Sequence, residues 1–104
     1  MGIILLWSDN AKDDLKEIYQ YYKLKAGKQV ADKIINAIVE KTVILKHKAR
    51  IGQKEDFFAD KYQEIRYLVE GNYKIVYLIE NDFIIISTIF DCRQNPKKLK
   101  ETKF

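Results

Sequence analysis

The sequence predicts an α+β protein: a two-layer β-α-α-β-β-β domain, with a helical hairpin packed on a mainly antiparallel four-stranded sheet. Three observations carry that expectation. Apolar residues recur at three- and four-residue spacing from Ala11 to Leu45, the pattern of helices with one face turned to a core. From Tyr62 to Phe90 they alternate or run on continuously, as strands do. Two polar dipeptides, Gly71-Asn72 and Asn81-Asp82, cut that second half into three strands joined by tight turns.

Each element has a local reason. Residues 3–7, IILLW, form a short apolar strand. Ser8 follows, and its hydroxyl suits the exposed amides of a first helical turn. Asp9, Asp13 and Asp14 then favour the positive end of the helix dipole. Ala11, Leu15, Ile18 and Tyr22 make one stripe, widened by Tyr19 and Leu24, and Gly27 ends the helix. A second helix is expected from Lys28 to Lys48, with Ala31, Ile34, Ile35, Ile38, Thr42 and Leu45 on its inner face. So short a connection makes the two helices antiparallel neighbours. Residues 51–61, IGQKEDFFADK, read as a loop. Strands follow over 62–70, 73–80 and 83–90. The first strand joins the sheet without a hairpin, because two helices intervene.

Two-residue turns imply a register. Glu70 faces Tyr73, Arg66 faces Tyr77, Glu80 faces Phe83 and Tyr77 faces Ile86, so Arg66, Tyr77 and Ile86 share a face. Arg66 is the only arginine inside an expected strand. It either holds Glu64 or a carbonyl across the strands, or aims its charge at a partner. The last strand is expected to deliver Arg93 to the sheet edge and to stop at Pro96, which cannot donate to a ladder. Lys97, Lys98, Lys100 and Lys103 would then form a cationic arm beside Arg66, or a solubilising end with no target. The geometric expectation is that Arg66 and Arg93 converge on one side of the sheet.

The 104 residues fit a single domain, 1–104, with a basic tail over 93–104. Residues 1–92 hold 14 Lys+Arg and 14 Asp+Glu, so the net charge of +4 resides in the tail. A second basic stretch, Lys41, Lys46, Lys48, Arg50 and Lys54, has no acid within it. Such patches suit nucleic acid or another anionic partner, or are a solvated helix face. No apolar run reaches the roughly 18 residues of a membrane span. The start has no basic n-region, and Leu6 stands where a myristoylation motif wants Ser or Thr. A cytoplasmic protein without membrane contact is expected. The lone Cys92 cannot form an internal disulfide, and with the lone His47 it cannot build a zinc site. Cys92 reads as a small packed residue. No metal or cofactor is expected.

Four phrases in order resemble the RelE/ParE superfamily of bacterial toxins. They are WSDNAKDDLKEIYQYY (7–22), HKARIGQ (47–53), YQEIRYLVEGNYKIVYLIE (62–80) and IFDCRQNP (89–96). Ala49 stands where a proline is usual. The resemblance implies a type II toxin neutralised by a cognate antitoxin, whose helix or extended segment fills apolar grooves. The side of the first helix bearing Leu15, Ile18, Tyr19 and Tyr22 is the expected antitoxin contact, unless those residues are simply core. RelE-like members cut mRNA on the ribosome. That reading would make Arg66 and Arg93 the phosphate cations, with Lys54 and Lys61 nearby, and Tyr77 a base-stacking group. It lacks an evident acid–base pair. ParE-like members trap DNA gyrase without chemistry of their own. The long helical hairpin favours them, with Arg66, Arg93, Lys97, Lys98 and Lys54 as target contacts. Exposed strand edges leave room for a homodimer.

Overall fold

The structure, a computed structural model, describes residues 2–54 and 64–93. Strand β1 (Ile4–Trp7) leads into helix α1 (Asp9–Ala26) and helix α2 (Lys28–Val43), followed by a single 3-10 turn (Ile44–Lys46). Strands β2 (Gln53–Lys54), β3 (Glu64–Glu70), β4 (Tyr73–Glu80) and β5 (Phe83–Asp91) complete the chain. The sheet has five strands in the order β1-β5-β4-β3-β2. β1 runs parallel to β5 and every other pair is antiparallel. The strand beyond the expected four is β2, whose two residues are too few to show a period.

Ser8 caps α1 as its type requires. Its Oγ accepts from the Ala11 amide at 3.0 Å and donates to the Ser87 carbonyl at 2.9 Å, so the cap also ties the helix to the sheet. Gly27 separates the helices single-handedly. At φ +96° its amide donates back to Lys23 and Tyr22, and its carbonyl accepts from Ala31. α2 ends at Val43, earlier than the expected Lys48. Thr42, Val43 and Ile44 are β-branched and hold a helix poorly, and the Thr42 hydroxyl donates to the Val39 carbonyl at 2.7 Å. The chain tightens into the 3-10 turn there.

The expected registers are those observed: Glu70 with Tyr73, Arg66 with Tyr77, Glu80 with Phe83, and Tyr77 with Ile86. Gly71 at φ +59° and Asn81 at φ +55° take the left-handed conformation that tight hairpins need. One irregularity was not expected. Ile86 pairs with Tyr77 but Thr88 pairs with Val76, so Ser87 is an extra residue, a β-bulge. The bulge presents the Ser87 carbonyl to Ser8 and to Asn10 Nδ2.

α1 lies against β5 and α2 against β3. Between helices and sheet sit Ala11, Ile38, Leu45, Leu68, Ile75, Tyr77, Ile84, Ile86 and Ile89. A smaller cluster, Ile65, Val76 and Leu78, occupies the other sheet face. Leu24, expected to widen the buried stripe, is 87% exposed at the end of α1. Two residues after Tyr22, it stands about 200° round the helix from that stripe and so faces away from the core. Among the described residues, no helix is long and apolar enough to cross a membrane.

Candidate functional site

Arg66 sits at the start of β3 opposite Tyr77 and takes the first of the two readings open to it. Its Nε donates to Glu64 at 2.7 Å and its Nη1 to the Gly52 carbonyl at 2.8 Å. Arg50 grips the same carboxylate from the other side with Nε and Nη2 at 3.0–3.1 Å. Partial burial pushes the Glu64 carboxyl up, but hydrogen bonds from Arg66 and Arg50 outweigh it and hold the group below the usual carboxylate range. Tyr77 is wholly buried. Its hydroxyl donates to the Ala49 carbonyl at 2.8 Å and accepts from the Gly52 amide at 3.0 Å. These bonds fasten residues 49–52 to the sheet. A ring with no exposed face cannot stack a base.

Arg93 follows β5 and folds back on Asp91, donating from Nε and Nη2 at 2.9 and 2.7 Å. That hydrogen bond holds the Asp91 carboxyl down despite partial burial. Asp91 and Tyr22 push the Arg93 guanidinium further toward its charged form. Arg93 remains 56% exposed at the mouth of a groove of about 450 Å³ between α1 and the end of β5. Asp14, Glu17, Ile18 and Tyr21 line its helical wall. Asp14 Oδ2 accepts from the Thr88 hydroxyl at 2.7 Å and the Ile89 amide at 3.0 Å, satisfying strand edge that β1 is too short to cover. Burial pushes the Asp14 carboxyl up against those bonds.

The expected convergence of the two arginines does not occur. Arg66 is level with Tyr77 and Ile86, whereas Arg93 lies seven residues past Ile86, roughly 20 Å further along the strand direction. β3 and β5 point the same way; Arg66 begins one and Arg93 follows the end of the other. Each guanidinium is also paired with a neighbouring acid. Lys54 is exposed on β2, across from Arg66. Lys61, Lys97 and Lys98 lie outside the described residues. Of the expected antitoxin contacts, Leu15, Ile18 and Tyr22 pack partly on the core. Ile18 also lines the large groove, and Tyr22 a second, more apolar one. Tyr19 is half-buried, with Lys23 Nζ 6.0 Å from its ring centre. Cys92 is exposed rather than packed, because it falls in the turn after β5. His47 is exposed beyond the 3-10 turn.

The model of a protein family described as the ParE toxin of the type II toxin–antitoxin system parDE matches residues 5–96. The chain belongs to that family. This ParE-family toxin is therefore the toxin component of a type II toxin–antitoxin module, ParE-like rather than RelE-like. Among solved structures it is similar to the chromosomal ParDE system from P. aeruginosa. The likeness has 24% identity and a TM-score of 0.71, over 86% of this chain and 95% of that one; at that identity it speaks for the fold. No curated protein matches the sequence. Sequence reasoning missed the roles of the toxin's Arg50, read only as part of a basic stretch, and Asp14. For Arg50 the signal was weak, since its partner Glu64 is 14 residues away. Asp14 was read only as a dipole residue, because the edge it covers exists only in the folded sheet.

Proposed function

We propose that the toxin inhibits DNA gyrase by binding, without chemistry of its own, and is neutralised by a cognate antitoxin. One observation carries the choice over RNA cleavage. The Tyr77 ring, which would have to be exposed to stack a base, is wholly buried, and the Arg66 guanidinium is bonded to Glu64 and the Gly52 carbonyl. Arg93, Lys54 and the tail lysines Lys97 and Lys98 remain the target contacts in this reading, with Arg66 supporting them. A supercoiling assay with purified gyrase tests it. Accumulation of cleaved DNA complexes is expected. Ribosome-dependent cuts in a translation extract, with gyrase unaffected, would replace this reading by the RelE-like one.

The antitoxin contact in this reading is the apolar groove of about 250 Å³ where Tyr22, Ile34, Ala37 and Ile38 meet Tyr73. A helix or extended segment with apolar anchors fits such a groove. A homodimer would use β1, which is an edge strand among the described residues and whose Ile4 and Leu6 are 48% and 44% exposed. Antiparallel pairing about Leu5 sets Ile4 against the partner copy's apolar Leu6. Sedimentation of Leu6→Lys against the unaltered toxin tests this, with loss of a dimer expected.

A further inference from the structure

The second basic stretch takes a definite shape in the structure. The 3-10 turn is closed by His47 and Lys48 amides donating to the Ile44 carbonyl at 3.0 and 2.9 Å, and Ile51 donates back to Lys48 at 3.2 Å. Lys46, His47, Lys48 and Arg50 are all exposed on this tight segment at the end of α2, with Lys41 before it and Lys54 after it. The Tyr77 hydroxyl bonds anchor its base. Residues 41–54 contain five Lys+Arg and no acid. Among the described residues, the acid bonded to this end is Glu64, which is shared between Arg50 and Arg66. By contrast α1 carries four lysines and four acids.

We propose that this cationic segment after α2 binds the phosphate backbone of duplex DNA, through Lys46 and Lys48. A row of cations without base-reading geometry suits a polyphosphate rail. A duplex is favoured over a single strand because neither described tyrosine beside this segment, Tyr77 or Tyr67, is open for stacking a base. Tyr77 is buried. Tyr67 donates to Gln53 at 2.7 Å and carries Lys74 Nζ 4.2 Å from its ring centre. The inference rests on the gyrase reading for where the DNA comes from, since gyrase holds a duplex. The contact itself is measured without gyrase, so the two can fail separately.

The test is anisotropy of a labelled random-sequence duplex titrated with the full toxin over a range of salt. Binding should weaken linearly in log–log form. Lys46→Gln with Lys48→Gln removes two phosphate contacts, so the slope should fall by about 1.8 and affinity at low salt by about tenfold or more. Lys23→Gln with Lys25→Gln removes the same charge from the far end of α1 and should leave both within about twofold. Circular dichroism confirms that each variant folds. Equal losses in the two pairs would reduce the effect to net charge and overturn the proposal. So would an unchanged slope in the first pair, or tighter binding to single-stranded RNA of equal length.

Discussion

Tyr77, read from sequence as a functional group, serves the fold. Its hydroxyl satisfies one backbone donor and one acceptor in the 49–52 segment. Tyr77→Phe takes the partner from the buried Gly52 amide and the part-buried Ala49 carbonyl and should cost about 1–3 kcal/mol in urea unfolding. Gly52→Ala should cost more. A Cβ there would lie 2.5 Å from the Tyr77 oxygen and 2.7 Å from the Tyr67 carbonyl oxygen, and the second is strand backbone that cannot swing away. Glu64 makes a pH prediction with a definite sign. Its folded carboxyl is held below its unfolded value, so its stabilisation is present above the ordinary carboxylate range and is lost as pH falls through the folded value. The stability gap between the toxin and Glu64→Gln should therefore be widest at neutral pH and close in acid. Urea midpoints across that range check it, and a gap independent of pH would refute the ion-pair origin.

At the scale of elements, the junction of β1, α1 and β5 is the informative one. β1 pairs with β5 only over Phe83–Ile86. Beyond it the bulge at Ser87 and the open edge of β5 are served by α1, through Ser8, Asn10 and Asp14. Ser8→Ala removes a helix cap and the bond to the Ser87 carbonyl together. It should cost about 1–2 kcal/mol, and a thermal melt unchanged from the parent would show that the cap is dispensable. The cap was legible in the sequence, because Ser before an acid-rich first turn is a local signal. The bulge was not. Nothing in FIIISTIF marks one residue as extra; the need arises only when β5 must meet both the straight ladder of β4 and the start of α1.

At the scale of the whole molecule, the two arginines act at different ends. Arg66 is 16% exposed and bonded into the sheet, while Arg93 stands on the surface. Arg66→Ala should lower the melting temperature, and Arg93→Ala should leave it unchanged while, on the gyrase proposal, weakening inhibition. Sites this far apart combine independently, so the double variant's loss of inhibition should equal the product of the single losses within about twofold. A larger coupling in the supercoiling assay would mean that both touch one target group.

The sequence alone determined the order of β1, the two helices and β3 to β5, the helical hairpin and the pairing register of β3, β4 and β5, though not β2, since each of these follows from local signals: a cap, an apolar period, a two-residue turn. The family was legible in the same way, from phrases in a fixed order. Tertiary structure alone decided which charged groups meet. Arg50 reaches Glu64, Arg66 reaches the Gly52 carbonyl, and Arg66 and Arg93 stay apart. Those outcomes depend on where long side chains end after the helices dock. Periodicity assigns a residue to a face, but not to a height along it or to a partner across a loop.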